Sequence, residues 1–334
     1  MEKIKIKSYG KVNLSLDVTG KRDDGYHEIQ TLMQKISLFD DVTVTWTGRE
    51  SKDIEISLTC DKPYLPTDRR NLAYAGAEIM ARQFAGEVGG GLIEIKIEKH
   101  IPVAAGLAGG SGNGAAVMTA LSRIWDTGLG AKELCAMGEE LGADVPFCIL
   151  TQNTGYGLAL CTGTGARLTP LRSRFKRAVL LVKPHFGVST REVYQNIDSC
   201  SIEKRPDTDM LVKALRNNSH RHIYSNMINV LEEYTLKHYP EVEKIKEMIE
   251  KETYAEKVLM TGSGPTVFAV FSHARSAQQR LPRCMRPEGL GANRPRTGVG
   301  CEVDILRILS EKIQNYKIIL PQILGARNGF GTEK

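Results

Sequence analysis

The chain predicts an α+β fold, and three observations carry that prediction. Strands with alternating apolar residues and helices with one apolar face are mixed through residues 1–165. A continuous apolar run, Ala178–Val182, suits a strand buried on both sides. A strand, a Gly-Ser-Gly turn and a second strand are written into Lys257–Phe271. At 334 residues the chain is long enough for one large domain or two ordinary ones.

The elements follow in order. Ile4 and Ile6, then Val12, Leu14, Leu16 and Val18, alternate as half-buried strands interrupted at Ser8-Tyr9-Gly10. Asp40–Trp46 and Asp53–Leu58 read as further strands. Asn71–Phe84 reads as a helix through Leu72, Ala75, Ala77, Ile79 and Met80. Leu92–Ile97 alternates apolar and charged residues and precedes a glycine-rich loop. Beyond the loop, Ala116, Val117, Ala120, Leu121, Ile124 and Trp125 recur on one helical face, with Ser111 or Asn113 as the cap. Leu129–Leu141 predicts another helix, with Gly142 as its C-cap. Pro240–Lys251 is helical, with Val242, Ile245, Met248 and Ile249 facing inward.

Residues 272–300 break this style. They are rich in Arg, Pro and Gly, have no apolar period, and are not expected to fold alone. Residues 301–320 recover an amphipathic pattern in Val303, Leu306, Leu309 and Ile313. The odd segment also carries six Arg and one Glu, which accounts for most of the net charge of +6. The basic balance is therefore no argument for nucleic-acid binding by the main body. No apolar run approaches the roughly 18–20 residues of a membrane span, and the N-terminus, alternating Ile and Lys, lacks a signal-peptide core. Seven cysteines with no C-x-x-C spacing read as reduced thiols of a cytoplasmic protein.

The loop Pro102-Val103-Ala104-Ala105-Gly106-Leu107-Ala108-Gly109-Gly110-Ser111-Gly112-Asn113-Gly114 is the strongest functional signal. Five glycines let backbone N–H groups approach an anion, and the helix that opens after it adds free donors and a positive dipole end. Phosphate is the expected anion. No Lys lies between Pro102 and Ala131, which excludes the Gly-Lys-Ser/Thr P-loop. Gly110-Ser-Gly112-Asn-Gly114-Ala115 matches a dinucleotide fingerprint loosely, but the loop is too long for that tight turn. A loop with no ligand is the remaining alternative.

Elsewhere, Lys11 and Asn13 share the polar face of an apolar strand, where a solvated lysine is the ordinary reading. Asp144 follows Gly142 and precedes an apolar run, as a turn or capping aspartate would. Asp24-Gly25 makes a turn that presents Tyr26 and His27. His220-Ser-His222 has no partners at metal-ligand spacing.

Pro102–Ala116 resembles the phosphate-binding motif of the GHMP kinases. Three further segments resemble the branch of that family whose substrate carries a cytidine diphosphate: Tyr9–Val18 running on to Asp24–His27, Leu141–Phe147, and Thr261–Phe268. Order and spacing match across residues 1–271. The resemblance implies an ATP-binding domain over 1–165 of ribosomal-protein-like fold and a ferredoxin-like domain over 166–271. Residues 272–334 are left as an atypical tail, disordered or replacing the last helix and strand. It further implies Lys11 and Asp144 as the catalytic pair, and Asn71, Lys99 and Pro102–Asn113 on ATP. Asn13, Tyr26, His27 and Tyr194 fall on the substrate, the aromatics about a cytosine ring. ATP would arrive with Mg²⁺ held by phosphates and water. The expected partner is a small molecule, a cytidine diphosphate sugar alcohol, with no nucleic acid or membrane, on a monomer or weak homodimer.

The chain departs from the motif at Gly112, where a second serine is usual, and at Gly114, where alanine is. Both changes predict weaker ATP binding or slower turnover. Two other readings stay open: a homoserine- or mevalonate-type kinase of the same family, and a kinase-like binding protein without turnover.

Overall fold

The computed structural model describes residues 1–272 and 316–319. The arginine-rich stretch from 273 onward and the pattern of Val303, Leu306, Leu309 and Ile313 lie outside the described residues.

Two long antiparallel strands, β1 (Glu2–Lys21) and β2 (His27–Gly48), form the axis of the first sheet. The break expected at Ser8-Tyr9-Gly10 is instead a register shift between Tyr9 and Lys11 inside one continuous strand. Such a bulge re-aims the side chains that follow without ending the pairing. β3 (Ile54–Cys60) pairs in parallel with β4 (Gly91–Glu98), which pairs with the second half of β2. β5 (Leu158–Gly163) pairs with the first half of β2 and carries β6 (Arg167–Leu171) at the edge.

Four helices belong to this half: α1 (Leu72–Val88), α2 (Gly109–Ile124), α3 (Ala131–Gly138) and α4 (Val145–Asn153). The helix predicted over Leu129–Leu141 is shorter, because Glu139–Leu141 tighten into a 3-10 turn that ends at Gly142 with φ 146°. α4 escaped the periodicity reading because every residue from Val145 to Thr151 is buried, so no polar face marks it. Neither Ser111 nor Asn113 caps α2. The helix starts at Gly109, behind Ala108 in the left-handed region at φ 57°, with no side-chain cap. The backbone turn itself delivers the chain into the helix, and its first N–H groups are left unpaired by any side chain.

The second sheet has the order β10-β7-β9-β8. It comprises β7 (Ala178–Pro184), β8 (Lys257–Met260), β9 (Val267–Phe271) and β10 (Tyr316–Ile319), the last antiparallel to β7. Helices α5 (Thr190–Asn196), α6 (Thr208–Asn217), α7 (His220–Asn226), α8 (Glu232–His238) and α9 (Pro240–Glu252) surround it. One core joins Val12, Leu14, Leu32 and Leu107 to Phe175, Val179, Leu181, Phe268 and Val270. The two sheets are thus cemented by a shared apolar layer that also includes the loop before α2. No helix among the described residues is long and apolar enough to cross a membrane.

Gly112 and Gly114 of α2 are explained by close approach. A β-carbon at Gly114 would lie 2.9 Å from the Leu72 carbonyl oxygen, and one at Gly76 would lie 3.1 Å from the Gly114 carbonyl oxygen. Gly114 therefore lets α1 and α2 meet backbone to backbone rather than loosening the helix. A β-carbon at Gly112 would lie 2.6 Å from the Ser8 hydroxyl, which is buried and has no hydrogen-bond partner. The missing motif serine is thus matched by a serine on β1 that fills its space.

Two stability predictions follow from this packing. Gly114→Ala gains about 1 kcal/mol of helix propensity but meets a crowding cost of about 1–3 kcal/mol. Urea unfolding should show a net loss near 1 kcal/mol, and a more stable variant would refute the close-approach account. Gly112→Ser should lose about 1–2 kcal/mol by overpacking. Adding Ser8→Ala should restore most of it, because the double change makes room and removes an unpaired hydroxyl. Strict additivity of the two single changes would show that the positions do not compete for one space.

Candidate active site

The loop between β4 and α2 passes three times through positive φ, at Ala104 (51°), Gly106 (70°) and Ala108 (57°). It walls a cavity of about 310 Å³ lined by Asn71, Lys99, Pro102 to Ser111, and Asn113, together with Leu65, Pro66, Arg70, Leu72 and Ile97. Gly112 is the one residue of Pro102–Asn113 that does not line it. It faces β1 instead. Asn113 is 3 % exposed, and its side-chain oxygen has no partner.

Asn71 and Lys99 reach this cavity already engaged. The Asn71 carbonyl accepts the Ala73 N–H at 3.1 Å as the cap of α1, while its amide donates to the Pro66 carbonyl at 2.9 Å. The Lys99 ammonium pairs with Asp40, which is fully buried. The other Asp40 oxygen accepts the N–H groups of His100 and Ile101 at 2.7 and 2.8 Å. Asp40 thus anchors the segment that leads into the loop. The only sign of it in the sequence is an acid at the head of an apolar strand pattern.

A hydrogen-bond relay lies on the other side of the loop. The Lys11 N–H donates to the Leu107 carbonyl at 3.1 Å, so strand β1 is tied directly to the loop. The Lys11 side chain is 4 % exposed, and its ammonium donates to the Asn13 side-chain oxygen at 2.9 Å. It also stands 3.4 Å from the Asp144 carboxylate, which is 32 % exposed. The Lys11 of the sequence reading is therefore buried and paired, not solvated. Asp144 occupies the cap position of α4 but makes no capping bond, so its carboxylate is left for Lys11 and for whatever enters the cleft.

The relay continues beyond Asn13. The Asn13 amide donates to the Thr31 hydroxyl at 2.8 Å, which donates to the Ser15 carbonyl at 2.6 Å. The Asn13 backbone N–H donates to the Thr261 hydroxyl at 3.0 Å, and that hydroxyl donates to the Asn13 side-chain oxygen at 3.2 Å. Each proton has one place to go, so the Asn13 amide has one orientation. Thr31 escaped the sequence reading, since a threonine in a strand carries no distinguishing signal, whereas Thr261 heads the segment Thr261–Phe268 that the sequence singles out. The turn bearing Thr261 is held by Asn229, whose amide donates to the carbonyls of Met260 and Gly262, both at 2.8 Å. That turn also abuts the loop. A β-carbon at Gly106 would lie 2.6 Å from the Thr261 carbonyl oxygen.

The aromatic residues divide. Tyr26 is 68 % exposed on the turn after β1. His27 is buried, and its ring lies 5.6 Å from the Tyr194 ring at 38°. Burial, and next the nearby Asp144 carboxylate, push the Tyr194 hydroxyl above the usual phenol range. His27 Nε2 is 2.9 Å from Asp198 Oδ1, and the Lys21 ammonium is 2.9 Å from Asp198 Oδ2. Asp198, in the 3-10 turn Ile197–Ser199, also went unread in the sequence.

The arrangement sets an uncapped helix start behind a glycine-rich loop beside a buried ammonium and a partly exposed carboxylate, with the His27 and Tyr194 rings also in contact. Residues 71–152 match the model of the GHMP kinases N terminal domain, and residues 205–286 match that of the GHMP kinases C terminal region. A 4-diphosphocytidyl-2-C-methyl-D-erythritol kinase of Caldicellulosiruptor saccharolyticus is 40% identical over 278 residues, covering 83% of this chain and 91% of that one. Its counterpart in Clostridium kluyveri is 44% identical over 274 residues, 82% of this chain and 92% of that one. A crystal structure of 4-(cytidine 5'-diphospho)-2C-methyl-D-erythritol kinase superposes with a TM-score of 0.69 at 27% identity, covering 96% of this chain and 100% of that one. A homoserine kinase from Cytophaga hutchinsonii shares the fold, with a TM-score of 0.66 at 16% identity, 98% of this chain and 96% of that one. The chain belongs to the GHMP kinases, within the family of the 4-diphosphocytidyl-2-C-methyl-D-erythritol kinases.

Proposed function

We propose that this protein transfers the γ-phosphoryl group of ATP to the 2-hydroxyl of 4-diphosphocytidyl-2-C-methyl-D-erythritol. The observation that carries this reading is the Lys11–Asp144 pair, 3.4 Å apart, beside a glycine-rich loop that runs into a helix start with no side-chain cap. Phosphoryl transfer asks a protein chiefly for positioning and charge neutralisation. The loop Pro102–Asn113 and the start of α2 hold the phosphates through N–H groups. Asp144 receives the proton of the acceptor hydroxyl. Lys11 holds that carboxylate in place, and it offsets charge on the transferring group. Among the described residues no three His, Cys, Asp or Glu gather as a metal cage. The residues fit a Mg²⁺ that comes with ATP and is held by phosphate and water oxygens, where it would neutralise phosphate charge. Tyr26, His27 and Tyr194 receive the cytosine, with Tyr194 as a stacking surface.

The decisive assay is ATP turnover on 4-diphosphocytidyl-2-C-methyl-D-erythritol, with homoserine as the control acceptor. Asp144→Asn should lower kcat by about 10²–10⁴ if the carboxylate takes the proton. A folded variant that loses less than about threefold removes Asp144 from that role. Tyr194→Ala should raise the KM for the cytidine substrate by about 5-fold to 100-fold, the worth of one stacking contact, and leave the KM for ATP near its original value. Equal changes in both would move Tyr194 away from the base.

A further inference from the structure

Asp198 is the residue whose chemistry the mechanism above does not use. Its carboxylate is held from two sides, by His27 Nε2 at 2.9 Å and by the Lys21 ammonium at 2.9 Å. The bonds from Lys21 and then His27 keep it below the usual carboxylate range, so it is ionised and accepts only. The nitrogen that faces an acceptor must carry the hydrogen, so His27 holds its proton on Nε2. The His27 side chain is 4 % exposed, and Nδ1 has no hydrogen-bond partner among the described residues. In the neutral imidazole, Nδ1 then presents a bare lone pair.

We propose that Asp198 is a specificity-determining residue: by fixing the tautomer of His27 it makes the site accept an amino pyrimidine and reject an oxo pyrimidine. The inference rests on the proposed function. A lone pair on Nδ1 accepts a hydrogen from the 4-amino group of cytosine. Against the 4-oxo group of uracil it faces another lone pair, and two buried acceptors are left unpaired. The sequence places this device economically. Tyr194, whose ring lies 5.6 Å from that of His27, is on α5, and Asp198 follows four residues later. One short segment of the second half of the chain therefore carries both the stacking surface and the group that orients the histidine of the first.

The test compares cytidine- and uridine-diphosphate-linked forms of the acceptor as substrates at pH 8, together with the tautomer itself. The full chain should prefer the cytidine form by about 100-fold or more in kcat/KM, as a site built to hydrogen-bond one edge does. Asp198→Asn offers an amide that donates as readily as it accepts, and should narrow the preference by about tenfold. Asp198→Glu, which restores a carboxylate, should keep it within about threefold of the original. An Asp198→Asn enzyme that loses activity equally on both substrates would reduce Asp198 to a structural role and overturn the proposal. Long-range ¹H–¹⁵N correlation spectra, with His27 assigned by its loss in His27→Asn, should show the Nε2–H tautomer. The Nδ1–H tautomer in the unmodified protein overturns the proposal whatever the kinetics. If the unmodified chain phosphorylates neither substrate, the functional reading fails, while the spectra still decide the tautomer.

Discussion

The buried ammonium of Lys11 is the constraint around which the site and the junction of the two sheets are arranged. A cation that is almost wholly out of water must be paired and hydrogen-bonded to persist. Asp144 supplies the charge, Asn13 supplies the acceptor, and Thr261 and Thr31 fix the way Asn13 points. These residues come from β1, β2, the start of α4 and the turn between β8 and β9. No one element could provide them. Satisfying one charge therefore forces the two sheets into a single relative placement, which the shared apolar layer of Val12, Leu14, Phe175 and Phe268 then seals.

The glycine-rich loop obeys a second constraint, that of space. Its positive-φ residues turn the chain so that α2 begins without a side-chain cap. A capped helix start would already have spent the donors that an anion needs. The glycines themselves have different uses. Gly106 admits the Thr261 carbonyl, Gly114 admits α1, and Gly112 yields to Ser8. A loop that reads as uniformly flexible is in fact tightly packed on one side and open on the other.

Charge is handled locally throughout this region. Asp40 absorbs Lys99 and two backbone N–H groups beneath the entry to the loop, and Asp198 absorbs Lys21 and one nitrogen of His27. In both places a carboxylate fixes the direction of groups at the candidate site. The cleft is preorganised by acids behind it, rather than by the residues that line it alone.

Much of this protein was legible in its residues. Alternation at Val12–Val18, the helical recurrence of Ala116–Trp125 and the bare apolar run Ala178–Val182 are consequences of burial on one face or two, and burial follows directly from side-chain chemistry. The loop was legible as a candidate anion site because its glycines run directly into a helix start. Hidden from the sequence were α4, whose burial on all sides erases its period, and the continuity of β1 through a bulge. Hidden too were Asp40, Thr31, Asp198 and the contact that Thr261 makes with Asn13. Thr261 meets Asn13 across 248 positions of chain, and Asp198 meets His27 across 171. Local propensity decides which segments are strands and helices. Which proton faces which lone pair depends on contacts between distant segments, and those exist only once the two sheets have closed on each other.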